Sequence, residues 1–209
     1  DHNIDPRDPA ALEKIELPDS LHTLVLSRLD QLTESEKTTL RVASIVGRLF
    51  RAGWLTGYYP ALGGLSRVKD DLDKLDKLDI TPLDSEPELA YLFKHIVTHE
   101  VTYESLPFAM RAQLHEQLAR YLESQITAGA LNELPLLETL AFHNERGENW
   151  DSAVRWLKRA GELAFANSAL VEAAELDRRA LNALAHLPPQ NELEFELRLT
   201  LARAQMKIF

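Results

Sequence analysis

Residues 80–93 carry two strands and a turn inside a chain that otherwise reads as helix. Ile80 to Leu83 has strand character, Asp84-Ser85-Glu86-Pro87 is turn chemistry, and Leu89 to Phe93 predicts a second strand. What precedes this hairpin fixes its context. Pro18-Asp19-Ser20 opens a helix whose Leu21, Leu24, Val25, Leu29 and Leu32 fall on one face. Thr33 and Glu36 have the spacing of a capping box, in which each side chain satisfies the other residue's backbone amide. The helix they start points Leu40, Ala43 and Val46 inward and ends near Gly47. Residues 50–59 are rich in aromatics and hold a short helix, broken by Gly63-Gly64. Leu65, Val68, Leu72, Leu75 and Leu78 then form an apolar stripe at spacings of three and four. Three helices followed by a hairpin is the winged-helix order.

After the hairpin the periodicity is helical throughout. Pro107 suits a first helical turn, and Leu114, Leu118, Tyr121 and Leu122 mark its buried face. A loop around Gly129 leads to a helix with Leu136, Leu137, Leu140 and His143 inward, which Gly147 terminates. Asn149 caps the next helix, whose face is Trp150, Ala153, Leu157, Ala160 and Ala164. The spacing Trp150, Ala153, Trp156, Ala160 returns about 20 residues later as Leu170, Ala173, Leu176, Ala180. Small residues at such places let helices approach closely, as in tetratricopeptide hairpins. Pro188-Pro189 closes that helix, and Asn191 with Glu194 offers a cap to the last. The expected fold is all-α with one small β-hairpin: a linker over residues 1–16 holding Pro6 and Pro9, a winged-helix module over 17–106, and a tetratricopeptide-like array over 107–209. The last helix is apolar on more than one side, with Leu193, Phe195, Leu197, Leu199, Leu201 and Met206. That pattern, and a chain that starts without Met and stops within a helix, predicts a piece of a longer protein whose array continues.

Charge narrows the function. The 209 residues carry a formal charge of −10, which disfavours nucleic-acid binding as a general property. A winged helix nevertheless suggests DNA, so the third helix matters. Its Asp70, Asp71, Asp73 and Asp76 stand against Arg67, Lys69, Lys74 and Lys77, and the wing adds Asp84, Glu86 and Glu88. A solvated face laced with ion pairs fits better than a phosphate-binding one. A DNA-binding transcription regulator is the alternative reading. The chain has no cysteine, which suits the cytoplasm, and no apolar run of membrane-spanning length.

Catalytic chemistry finds little footing. There is no Gly-x-x-x-x-Gly-Lys-Ser/Thr loop, and Gly63-Gly64 lacks the lysine. Ser105 and Ser168 have no glycine-flanked elbow. His95 and His99 share a helical spacing, but His115 or His143 would have to supply a third metal ligand, so no metal is expected. Trp150 and Trp156 are candidate partner-binding residues, with burial the competing reading for Trp156. The chain is expected to be non-enzymatic and to need no cofactor of its own.

Three segments resemble a known family when read in order: Leu17-Pro18-Asp19-Ser20-Leu21 through Leu32, then Glu36 through Gly47-Arg48-Leu49-Phe50, then Phe93-Lys94-His95 followed by Glu100-Val101-Thr102-Tyr103-Glu104-Ser105-Leu106. They resemble the region downstream of the ATPase core in bacterial STAND-class (AAA-type) regulatory ATPases. Those ATPases are fused to adenylate or guanylate cyclase, kinase or transcription-regulator domains. Thr102 stands where the family phrase has Ala. The resemblance covers most of residues 17–125 and extends to the later helices only in character. It implies that the helix over residues 17–32 belongs to the end of the ATPase lid and that the winged helix restrains the chain's own upstream NTPase domain. It also implies that His95 senses the nucleotide's phosphates, with ATP or ADP bound only in the parent protein. The array would then receive a protein partner or inducer; neither membrane nor nucleic acid is expected as a partner.

Overall fold

The computed structural model describes residues 19–208; the expected linker over residues 1–16, Leu17, Pro18, the side chains of Asp19, Ser20, Leu21 and Ile208, and Phe209 lie outside the described residues. Among the described residues the chain is mostly helical, with ten α-helices and one small antiparallel sheet. It forms two compact units that divide between Leu114 and His115. The division falls inside a helix.

The first unit holds α1 (Asp19–Asp30), α2 (Glu34–Val46), β1 (Leu49–Arg51), α3 (Ala52–Tyr58), α4 (Leu65–Lys77), β2 (Leu83–Ser85), β3 (Ala90–Leu92), α5 (Ile96–Glu104) and the first turns of α6 (Phe108–Thr127). From α2 to β3 this is the winged-helix order. The Thr33–Glu36 capping box forms as expected and starts α2, with the Glu36 amide donating to Thr33 Oγ1 at 3.3 Å and the Thr33 amide to Glu36 Oε2 at 2.9 Å. The sheet has three strands in the order β1-β3-β2, so the expected hairpin gains a partner. Phe50 pairs with Tyr91 across β1 and β3 and lies 5.5 Å from Phe93, ring centre to ring centre. All three rings are buried, which fastens this short strand to the wing. Val68, Leu72 and Leu75 on α4 are completely buried with Leu40 and Leu55. Each is worth about 1.5–3 kcal/mol of removed apolar surface.

Some expected faces are corrected. Leu24 on α1 is exposed, and so are Leu65 and Leu78, because Leu65 is the first residue of α4 and Leu78 already lies beyond its last. Asp71, counted among the solvated acids of α4, is buried. It accepts hydrogen bonds from Ser35 Oγ at 2.7 Å and Thr39 Oγ1 at 3.0 Å, so α2 and α4 are joined by a satisfied polar contact.

The second unit continues α6 and adds α7 (Leu137–Arg146), α8 (Trp150–Ala166), α9 (Leu170–Leu184) and α10 (Asn191–Ile208), each packed on its predecessor from α8 onward. Gly147 does more than end α7: a Cβ there would stand 2.9 Å from the Glu116 backbone nitrogen of α6. Ala153, Ala160, Ala173 and Ala180 are buried between helices, as their spacing predicts. Asn149 holds the N-cap position of α8 without a side-chain bond, and Asn191 lies inside α10, whose Glu194 amide donates to Gln190 O. Neither asparagine therefore caps as expected.

Candidate functional site

The corner where β3 turns into α5 gathers the sequence's principal candidate. Phe93 is sealed in the core, and its amide donates to Arg48 O at 2.8 Å. The Lys94 amide donates to Ile80 O at 3.0 Å, which fixes the chain's direction as it leaves the sheet. His95 follows in extended conformation as the N-cap residue of α5, and its ring is exposed and makes no cap bond. Its carbonyl accepts the first helical amides, from Thr98 and His99. A helix start beside an exposed imidazole is an arrangement suited to an anion.

Cationic side chains surround that corner. Arg48 Nε donates to Phe93 O at 3.2 Å and its Nη2 to Lys94 O at 3.4 Å. Lys94 pairs with Asp79, and Arg28 Nη2 donates to Leu78 O at 2.9 Å. The Lys94 hydrogen bond, with the charges of Lys94, His95 and Arg28, holds the Asp79 carboxyl below its ordinary range. Among the described residues, Asp79 is the carboxylate that these contacts bring to the corner.

His99, one turn along α5, has a different role. Its Nε2 lies 2.9 Å from Ser44 O, and only a protonated nitrogen can donate there, so Nδ1 carries the lone pair and is buried without a partner. Phe93 packs edge-on against the ring and Tyr103 stacks on it. Burial is the main cause that lowers the His99 pKa, with the Arg48 charge adding to it and the Ser44 bond opposing. His95 thus faces water while His99 ties α5 to α2.

The metal candidates separate. Among the described residues no group of three or more His, Asp or Glu side chains is arranged to hold a metal ion. His115 and His143 face each other in the second unit, Nδ1 to Nδ1 at 2.8 Å, both buried beside Phe142. One Nδ1 must donate and the other accept, so both rings cannot be charged with this bond intact. Burial lowers the His143 pKa to about 3. The sequence places His143 on an inward face, but a pair 28 residues apart leaves no local signal.

The two tryptophans also differ. Trp156 is 6% exposed, and its Nε1 donates to Glu123 Oε1 at 2.6 Å. Arg155 and Arg159 lie against its ring, and Arg155 shares the Glu123 oxygen while Arg159 pairs with Glu133. Burial, the competing reading, describes its place. Trp150 is half-buried and stacks on His186 at 4.0 Å with the rings 9° from parallel.

No family model, curated protein or solved structure matches the chain. Among the described residues no helix is long and apolar enough to cross a membrane.

Proposed function

We propose that this chain is the non-enzymatic regulatory and partner-binding part of a STAND-type signalling ATPase acting in the cytoplasm. In this reading the first unit leans on an NTPase domain outside these 209 residues. His95 contacts the phosphates of the nucleotide bound there. Loss of that contact frees the winged helix, giving a two-state switch. The helices of the second unit receive a protein partner or inducer, with half-exposed Trp150 better placed than Trp156 to meet it.

The observation that carries the reading is the exposed His95 ring at the uncapped start of α5, with Arg28, Arg48 and Lys94 around it. An imidazole that only packed would be expected to be covered, as the partly buried His99 ring is by Phe93 and Tyr103. The reading is tested in the natural protein that carries the ATPase domain. His95→Ala is expected to change the nucleotide retained on purification or the basal output of the fused effector. Because the ring is exposed, the variant should keep the wild-type circular dichroism spectrum. A folded variant with unchanged nucleotide content and unchanged output would remove the sensor role.

A further inference from the structure

The face of α10 turned away from α9 carries an apolar stripe that has no cover among the described residues. Leu197 and Ala204 are buried against the rest of the unit. On the opposite side Phe195 is 69% and Met206 72% exposed, and Leu199 and Ala202 lie exposed between them. At 100° per residue these four fall within a narrow band. Phe195 and Met206 lie at equal distances from the point midway between Thr200 and Leu201, and so do Leu199 and Ala202. Such a stripe is self-complementary when two copies meet antiparallel about a twofold axis. Phe195 then lies opposite Met206, and Leu199 opposite Ala202, once from each copy.

The flanking charges suit the same arrangement. In an antiparallel pair of helices like flanks meet like flanks. Glu192, Glu196 and Arg203 occupy one flank of the stripe, and Arg198 and Gln205 the other. Glu196 of one copy comes within one helical turn of the level of Arg203 of the other, and symmetry repeats the contact. Arg203 is exposed and meets no carboxylate among the described residues, whereas Glu196 already holds Lys158 at 2.8 Å and is still 48% exposed. The second flank sets Arg198 near Gln205, with no like-charge conflict.

We propose that this face is a self-association surface on which two copies of the chain pair antiparallel through α10. The proposal is independent of the role assigned to His95. Sedimentation equilibrium of the 209-residue chain over increasing concentration should show its mass rising toward twice the monomer. Phe195→Glu should abolish the rise. Arg203→Glu should weaken association roughly tenfold by setting like charges opposite each other. Adding Glu196→Arg to Arg203→Glu should restore most of the loss. Phe195, Glu196 and Arg203 are exposed, so unchanged circular dichroism would show that the variants fold. A wild-type chain that stays monomeric, an association that survives Phe195→Glu, or a double reversal that rescues nothing would each overturn the proposal. So would a version extended beyond Phe209 that is monomeric where the 209-residue chain dimerises, because chain continuation would then be the natural cover.

Discussion

Buried titratable side chains give this protein its sharpest residue-scale consequences. His143 has a folded pKa of about 3, far below the ordinary imidazole value. Between about 6.5 and 3 the unfolded chain binds a proton that the folded chain refuses, so stability falls as pH falls. The slope approaches 1.4 kcal/mol per pH unit at most, at about one proton difference. Urea unfolding of wild type and His143→Gln at pH 7, 5 and 4 checks this. The variant should be weaker at pH 7 and gain on wild type as acid is added; a gap independent of pH would contradict it. Asp177 runs the other way. It is buried beside Gly161 and Thr200, and burial raises its pKa. Its charged form is therefore penalised, and stability is lost as pH rises from the unfolded value through the raised one. Asp177→Asn removes the charge at nearly constant shape, so it should raise the melting temperature at pH 7 and lose that advantage near pH 3. A lower melting temperature at pH 7 would show that the carboxylate is a needed partner.

Helices were legible in the sequence because each repeats an apolar residue every third or fourth position. The stripe of α4, the capping box of α2 and the alanines of α8 and α9 all lie where spacing put them. Strand β1 was not legible, since three residues give no period and its stability comes from Tyr91 and Phe93, some forty residues away. Asp71 failed for a related reason: its hydroxyl partners are more than thirty residues distant, so it looked like one more surface acid. In the candidate site, the spacing placed His95 and His99 on one helix but could not tell the outward ring from the ring bonded to Ser44. Gly147 was recognised as a terminator, whereas its closer constraint is α6. Gly147→Ala should therefore cost more than a lost helix end. The added methyl would meet the Glu116 backbone at 2.9 Å, and overpacking of that kind costs about 1–3 kcal/mol. Thermal unfolding should show a clear drop, and an unchanged midpoint would mean that α6 and α7 separate freely.

At the scale of the whole molecule the charge pattern bears on the two partners weighed for the first unit, a protein domain and DNA. With Asp71 removed inward, the exposed side of α4 presents Arg67, Lys69, Lys74 and Lys77 against Asp70, Asp73 and Asp76. That is less acidic than the sequence implied, which strengthens the DNA alternative at this helix. The wing reverses the gain, because Asp84, Glu86 and Glu88 are all exposed and would meet the flanking phosphates. Lys74 is also drawn toward Glu36, at 3.7 Å, and toward the buried Asp71, at 3.9 Å. Asp73, Asp76 and Glu86 together reinforce the effect of burial in raising the Tyr91 pKa, so negative potential collects where the wing meets α4. Counterion release rewards each neutralised phosphate, but six carboxylates here oppose four cations. A mobility-shift titration of random duplex should thus show no complex at about 0.15 M salt into the tens of micromolar range. Weak binding that appears only at low salt would agree with this balance. Micromolar binding at 0.15 M salt, lost on Lys69→Glu with Lys77→Glu, would instead show that α4 carries phosphate contacts and favour the DNA reading.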